Sequence, residues 1–278
     1  MTTRSVTLSL LIVLLATAPR LSADTHRFTP ERFYNTYSFA HPPALRIKPG
    51  DRVVTTTLDA SGVDAQGRQA GQGPNPQTGP FFVEGAEPGD LLMVTFEKIE
   101  TNRATITLPL RPMLGCVAVA PARKEAIATP TPGAFGGNLD YAGVTSGVTV
   151  MLPVNEPGAL LFIGDGHARQ GEGEVVGTGL ETSMDVEFTV QLVKQKAASW
   201  PRMDTATHVM VLGSARPLLQ ALQHATSEML RWLVADYGFS ERGASVFMGQ
   251  ALEYEIANVV DPNFTVVAKV RKALLPPR

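Results

Sequence analysis

Between residues 40 and 200, apolar side chains come in short blocks separated by glycine, proline and aspartate. The blocks at 53–58, 81–83, 91–99, 113–120, 148–153 and 159–163 each predict a strand, being short, apolar and bounded by turn formers. Residues 186–194 alternate, with Val186, Phe188, Val190 and Leu192 on one side, which predicts a strand with one wet face. Pro49-Gly50-Asp51, Pro88-Gly89-Asp90 and Pro157-Gly158 each stand just ahead of such a block and predict tight turns. No fixed-period repeat accompanies them. Further on the period changes. Leu218, Leu222, Ala225, Met229 and Leu233 recur at helical spacing, with Ser214 as N-cap, Pro217 in the first turn and Gly238 just past the end. Ser240 is placed to cap a second helix over 241–252, Asp261-Pro262-Asn263 reads as a turn, and 264–270 predicts a last strand. The pattern predicts a mainly β fold, sandwich- or barrel-like, with a small α+β portion toward the C-terminus. The β-rich core covers about 40–200 and the helical portion about 205–278.

The stretch 157–181, PGALLFIGDGHARQGEGEVVGTGLE, organises the rest. A buried strand delivers Gly164-Asp165-Gly166-His167, followed closely by Glu172 and Glu174. A second apolar segment at 175–180 reads as strand-like and ends at Glu181. A lone histidine is more often structural than functional. Acidic neighbours shift His167 toward a metal ligand or an acid/base, because imidazole plus carboxylates is a divalent-metal donor set. Asp59 and Asp140 each stand where a strand meets a Gly-rich loop, as does Glu84 on the turn after 81–83. The alternative for all three is plain turn chemistry, and Asp90 reads as a turn residue outright. Glu174 and Glu181 flank apolar sequence, where a desolvated carboxyl has the raised pKa useful for proton transfer. His208, in a strand-like run, reads as a core histidine or a second ligand, while His26, His41 and His224 lack supporting neighbours. Cys116 is a possible nucleophile, but among Met113, Leu114, Val117 and Val119 a buried structural role is the commoner one.

Composition narrows the classes. The chain has 278 residues, 44% hydrophobic and 18% charged, with a formal net charge of −2, as expected of a globular chain with no nucleic-acid or anionic-membrane partner. Arg4, an apolar run at 6–18 and small residues up to Ala23 predict a signal peptide over 1–23, hence an exported, periplasmic or extracellular protein with no transmembrane segment once mature. A single cysteine allows no internal disulfide. Phosphate-loop, Gly-x-Ser-x-Gly and His-Glu-x-x-His signatures are absent from the sequence, and the glycines at 171–177 open no helix pattern, against a dinucleotide site. Residues 59–80 form a long polar connection, a length that tends to be functional or flexible.

GPFFVEGAEPGD at 79–90, MLGCVAVAP at 113–121, GGNLD at 136–140 and the whole of 157–181 resemble the acetamidase/formamidase family, with looser agreement at 237–240 and 259–270. The resemblance implies hydrolysis of short aliphatic amides to ammonia and a carboxylate, in a β-rich fold unlike that of serine amidases and nitrilases. It implies a divalent metal at the acidic-His cluster, zinc with calcium as the alternative, and a homo-oligomer of two or more subunits. It carries over onto Asp59, Glu84, Asp140, Asp165, His167, Glu174 and Glu181. Within that set the expected metal ligands are Asp59, Asp140 and His167, and the expected proton carriers are Glu84 and Glu174, acting on metal-activated water. Family enzymes are usually longer and cytoplasmic, and 121–137 looks abbreviated here. The competing expectations are an exported, metal-containing β module that binds a small solute or carbohydrate, and a hydrolase of another non-peptide C–N bond.

Overall fold

A computed structural model of the chain describes residues 23–103, 108–196 and 198–277. The expected signal peptide lies outside the described residues but for its last, Ala23. In chain order the strands are β1 Thr25–Arg27, β2 Thr36–Ser38, β3 Leu45–Ile47, β4 Arg52–Thr56, β5 Thr78–Val83, β6 Leu91–Thr101, β7 Met113–Ala118 and β8 Ala126–Ala128. They continue with β9 Gly136–Asn138, β10 Thr149–Pro153, β11 Leu161–His167, β12 Met184–Val193, β13 Arg202–Asp204, β14 His208–Ala215, β15 Glu253–Asn258 and β16 Phe264–Arg271. Two α-helices, α1 Leu218–Tyr237 and α2 Glu241–Ala251, sit between β14 and β15. The expected mainly β fold with helices near the C-terminus is what the chain forms.

Among the described residues the strands build a nine-stranded sheet, β1-β4-β12-β6-β10-β13-β14-β16-β15, a five-stranded sheet, β3-β5-β11-β7-β9, and the pair β2-β8. The main core lies between the two large sheets and contains Phe81, Phe96, Phe162 and Phe188, all fully buried. Phe188 reaches it because β12 alternates: Val186, Phe188 and Val190 are buried, while Gln191 is exposed. Phe81 meets Phe188 edge to face at 5.3 Å. β14 is covered on both faces, which explains its unbroken apolar run. Met210 and Leu212 belong to the core between sheets, whereas Val209 and Val211 pack with Met229, Trp232 and Leu233 of α1.

The three Pro-Gly signals form the same turn. Asp51, Asp90 and Ala159 each donate their N–H to the carbonyl three residues back, at 3.0, 3.0 and 2.9 Å. The intervening glycines have φ of 96°, 93° and 78°, the type II geometry that Pro-Gly favours. The helix boundaries differ slightly from expectation. Pro217 is the N-cap of α1 and Ser214 lies within β14, because the strand runs on to Ala215. Gly238 ends the helix at φ 69°, and Ser240 caps α2 by accepting from Gly243 N at 3.1 Å. Residues 175–180 are not a strand. Val175 and Val176 are 72% and 82% exposed in a loop, an apolar pair outside any core.

Candidate active site

β11 carries Gly164-Asp165-Gly166-His167 to one end of the smaller sheet. It pairs with β7, so that Cys116 lies opposite Gly164 and Met113 opposite His167, and β9 on the far edge of β7 sets Asn138 opposite Cys116. Two residues beyond Asn138 comes Asp140. After His167 the chain doubles back. Ala168 N–H donates to Leu180 O (2.7 Å) and Thr182 N–H to Gly166 O (2.8 Å), which brings Glu181 opposite the imidazole. Farther out, Gly173 N–H donates to Ile256 O (3.0 Å) and Val259 N–H to Gly173 O (3.0 Å), fastening this loop to β15 and fixing Glu174 beside the others.

The result is a compact buried group. His167 Nε2 lies 3.1 Å from Glu181 Oε1 and 3.4 Å from Asp165 Oδ1. Ligand-type atoms of Asp140, Asp165 and His167 all fall within 4.8 Å of one another, and so do those of His167, Glu174 and Glu181. Asp140, Asp165 and His167 are 1–2% exposed. Gly115 on β7 makes room for the carboxylates: a Cβ there would stand 2.3 Å from Asp140 Oδ1 and 2.4 Å from Asp165 Oδ2. Among the described residues nine non-glycine positions have positive φ, and four of them line this site: Asn75 (47°), Asp140 (41°), Asp165 (58°) and Glu174 (43°). Left-handed backbone is costly for such residues and collects where surrounding contacts hold side chains in required places.

An amide network supports the acids. Asn138 Nδ2 donates to Asp140 Oδ2 (2.5 Å) and Asp261 Oδ2 (2.9 Å), while its Oδ1 accepts from Cys116 Sγ (2.7 Å) and Asn75 Nδ2 (3.1 Å). Asn75 Nδ2 also reaches Asp165 Oδ2 at 3.2 Å. On the far side of the ring, His167 Nδ1 lies 2.7 Å from Gln170 Oε1. A cavity of about 410 Å³ opens onto Asn75, Asn138, Asp165, Glu174, Glu181 and Asp261.

Electrostatics show what the group lacks. Burial raises Asp140 well above the usual carboxylate range, and the charge of Asp165 adds to it. Burial likewise raises Glu174, against the pull of His167, and raises Glu181. Asp261 is pushed up to about 7 by burial. Burial disfavours the charged imidazole, but Asp165 and Glu181 outweigh it and hold His167 well above its ordinary value. Too many acids share too little positive charge. Asp140 Oδ1, Asp165 Oδ1 and Glu181 Oε2 are buried with no hydrogen-bond partner among the described residues. Orphaned carboxylate oxygens beside an imidazole nitrogen are the donor set of a divalent cation, and the group fits one.

The expected residues divide. His167, Asp140 and Glu174 converge, as do Asp165 and Glu181. Asp59 is buried nearby, but its oxygens are taken: Oδ1 accepts from Ser61 N (3.0 Å) and Val63 N (2.9 Å), and Oδ2 pairs with Arg103. Both oxygens are thus engaged in a turn and an ion pair, and Asp165, not Asp59, is the aspartate beside His167. Glu84 does not join them. It follows β5 at the end that pairs with the start of β11, its side chain is 45% exposed, and it lies 3.9 Å from Arg46. Cys116 is fully buried behind Asn138, and burial together with Asp165 and Asp140 raises its thiol, so it is not a ready thiolate. His208 lies on β14, bonded to Thr207 Oγ1 at 2.8 Å. Sequence reasoning passed over Asn75, Asn138, Gln170 and Asp261. Asn75 had the long polar connection as its signal; Asp261 reads locally as a turn, and only the fold brings it here.

Residues 107–275 match the profile of the Acetamidase/Formamidase family. The chain belongs to that family. An acetamidase from Yersinia enterocolitica is 32% identical with a TM-score of 0.82, over 91% of this chain and 93% of that one. A predicted acetamidase/formamidase from Thermoanaerobacter tengcongensis is 27% identical with a TM-score of 0.83, over 91% and 97%. A putative formamidase from Schizosaccharomyces pombe is 40% identical over 60 residues, which is 21% of this chain and 15% of that protein. The expectation of longer relatives thus fits the yeast protein and not the two solved acetamidase/formamidase structures, which this chain spans almost entirely.

Proposed function

We propose that the protein hydrolyses the C–N bond of short linear amides, releasing ammonia and a carboxylate, with a divalent cation seated at His167. The observation that carries this is the buried group around His167, with its orphaned carboxylate oxygens, in a member of the acetamidase/formamidase family. His167 Nε2, Asp140 and Asp165 would hold the ion. Zinc suits one nitrogen and a few oxygens, with calcium the alternative. Such an ion supplies Lewis acidity toward an amide carbonyl and toward water.

The chain's own residues handle the proton. Glu174 lines the cavity, and its carboxylate takes a proton from water as the oxygen adds to the amide carbon. As the C–N bond breaks, the same carboxyl returns that proton to the departing amine. Glu181 faces the imidazole as a second carboxylate, 3.1 Å from Nε2. Asn75 and Asn138 keep Asp165 and Asp140 oriented through their amide N–H groups.

A panel of formamide, acetamide and longer linear amides, assayed for ammonia before and after dialysis against chelator, tests both parts. Release that stops on dialysis and returns with zinc supports the proposal. No release from any amide removes the reaction, and full release after dialysis removes the cation. The cavity of about 410 Å³ favours one further reading, a bulkier amide or another non-peptide C–N bond, since sites of this size hold drug-sized molecules. A maximum rate on such substrates in the same panel decides for it. Homo-oligomerisation and export through residues 1–23 complete the proposal; light scattering and the N-terminus of the secreted protein check them.

A further inference from the structure

Gln170, three residues after His167, is nine-tenths buried and takes no part in the chemistry described so far. Its amide is spent completely. Nε2 donates to the backbone carbonyl of Asp140 (2.5 Å) and also faces that of Ala257 (3.4 Å). Two carbonyls accept only from N–H, so they fix which end of the amide is nitrogen. Oε1 therefore faces His167 Nδ1, at 2.7 Å, and being an acceptor it requires the proton to be on Nδ1. The other ring nitrogen, Nε2, is thereby turned toward Asp165 and Glu181.

We infer that Gln170 is the positioning residue that aims the imidazole, accepting from Nδ1–H so that Nε2 is the nitrogen directed into the acidic group. The same amide ties the ring to the backbone of Asp140, which is left-handed, and to the end of β15. Three separately placed elements, β11, the 139–141 segment and β15, are thus brought to one register at this side chain. Gly179 leaves room for the ring here: a Cβ there would stand 2.3 Å from His167 Nδ1 and 2.6 Å from Cγ. A histidine ligand whose second nitrogen is held by such a partner is more basic and better aimed, and loss of the partner typically weakens metal binding by about 10–100-fold.

The inference rests on the ligand role of His167 proposed above, and two readouts separate the two. Zinc affinity of the full chain is measured by competition with a chromophoric chelator for wild type, His167→Ala, Gln170→Met and Gln170→Glu. Gln170→Met keeps length but loses the acceptor and should weaken zinc by about 10–100-fold, while Gln170→Glu keeps an acceptor oxygen and should recover most of the loss. The imidazole ¹⁵N spectrum of the metal-free protein is recorded in parallel. Wild type should show a proton on Nδ1 that exchanges slowly with solvent, and Gln170→Met should lose that protection. If wild type binds zinc no better than His167→Ala, the ligand role falls and the ¹⁵N spectrum alone decides on Gln170. Equal zinc affinity or equal Nδ1 protection in wild type and Gln170→Met overturns the inference, as does a loss in Gln170→Glu as large as in Gln170→Met. Should Gln170→Met fail to fold, Gln170→Glu against His167→Ala still decides it.

Discussion

Glu228 and the acids around His167 are hidden from water to nearly the same degree, 0% exposed for Glu228 and 1% for Asp140, yet they do opposite things. Glu228, on α1, is saturated with donors. Its Oε1 accepts from Arg202 Nε (2.9 Å), Arg202 Nη2 (2.5 Å) and Ser199 N (3.2 Å), and its Oε2 from Arg231 Nε (3.0 Å). Asp140, Asp165 and Glu181 have one imidazole among them and an orphaned oxygen each. A buried charge with every lone pair answered is part of the scaffold. A buried set with lone pairs to spare is short of donors within the chain and has the chemistry to take positive charge from outside it. Burial alone does not separate structural acids from functional ones; the donor count does.

The contrast can be broken by exchanging the kinds of loss. Glu174→Gln should lower ammonia release by about 10²–10⁴-fold, the span of one general acid/base, with the melting temperature little changed. A variant with the wild-type rate would remove Glu174 from the reaction. Glu228→Ala should do the reverse, costing about 3–5 kcal/mol in urea unfolding because Arg202 is left buried and unpaired, while the folded fraction keeps its turnover. Unchanged stability would mean that water replaces the carboxylate.

Smaller effects sharpen the comparison. Gly115→Ala should cost about 1–3 kcal/mol by overpacking and should separate Asp140 from Asp165, seen as weaker zinc binding at unchanged secondary structure. Zinc binding equal to wild type would show that the carboxylates can move aside freely. The turn acids give the pH test. Asp90 is buried, but N–H donors from Lys194, Glu87 and Gln195 more than offset that burial and hold its carboxyl below the usual range. A depressed folded pKa contributes stability that is present above the unfolded value and lost as pH falls through the folded one. Asp90→Asn should therefore be less stable than wild type by about 1–3 kcal/mol at neutral pH, with the gap closing in acid. A gap independent of pH would mean that packing, not charge, carries the effect. Asp140, Glu174 and Asp261 shift the other way, so in the metal-free protein their contribution is lost as pH rises, for Asp261 through about 7. Least of all, Glu84→Gln should stay within about 0.5 kcal/mol in stability, as surface changes do, and leave turnover unaltered. A large loss of activity there would return Glu84 to the mechanism.

What was legible in the chain was whatever short-range physics decides. Pro-Gly ahead of each strand specifies a type II turn because proline presets one φ and glycine admits the other, and all three turns form. The alternation of 186–194 specifies one buried face, and the change of period near 218 specifies a helix. His167 and its acidic neighbours stood out because they are adjacent in sequence. Local chemistry also misled. Val175 and Val176 are apolar and β-branched, but they fall in a turn and end in solvent.

Only the tertiary structure could settle which acids meet. Asp59, Asp140 and Glu84 look alike as residues at strand ends, and their fates depend on sheet order. β7 and β9 deliver Asn138 and Asp140 to the His167 end of β11, while antiparallel pairing of β5 with β11 carries Glu84 away from it. Asp261 arrives from 94 positions beyond His167 through the β15–β16 connection, and Asn75 from 92 positions before it, separations at which no local pattern survives. Hydrophobic and turn signals act between neighbours along the chain, so the sequence carries them openly. Convergence of charges is set by strand register, a property of pairs of segments, and becomes visible only when the pairs have formed.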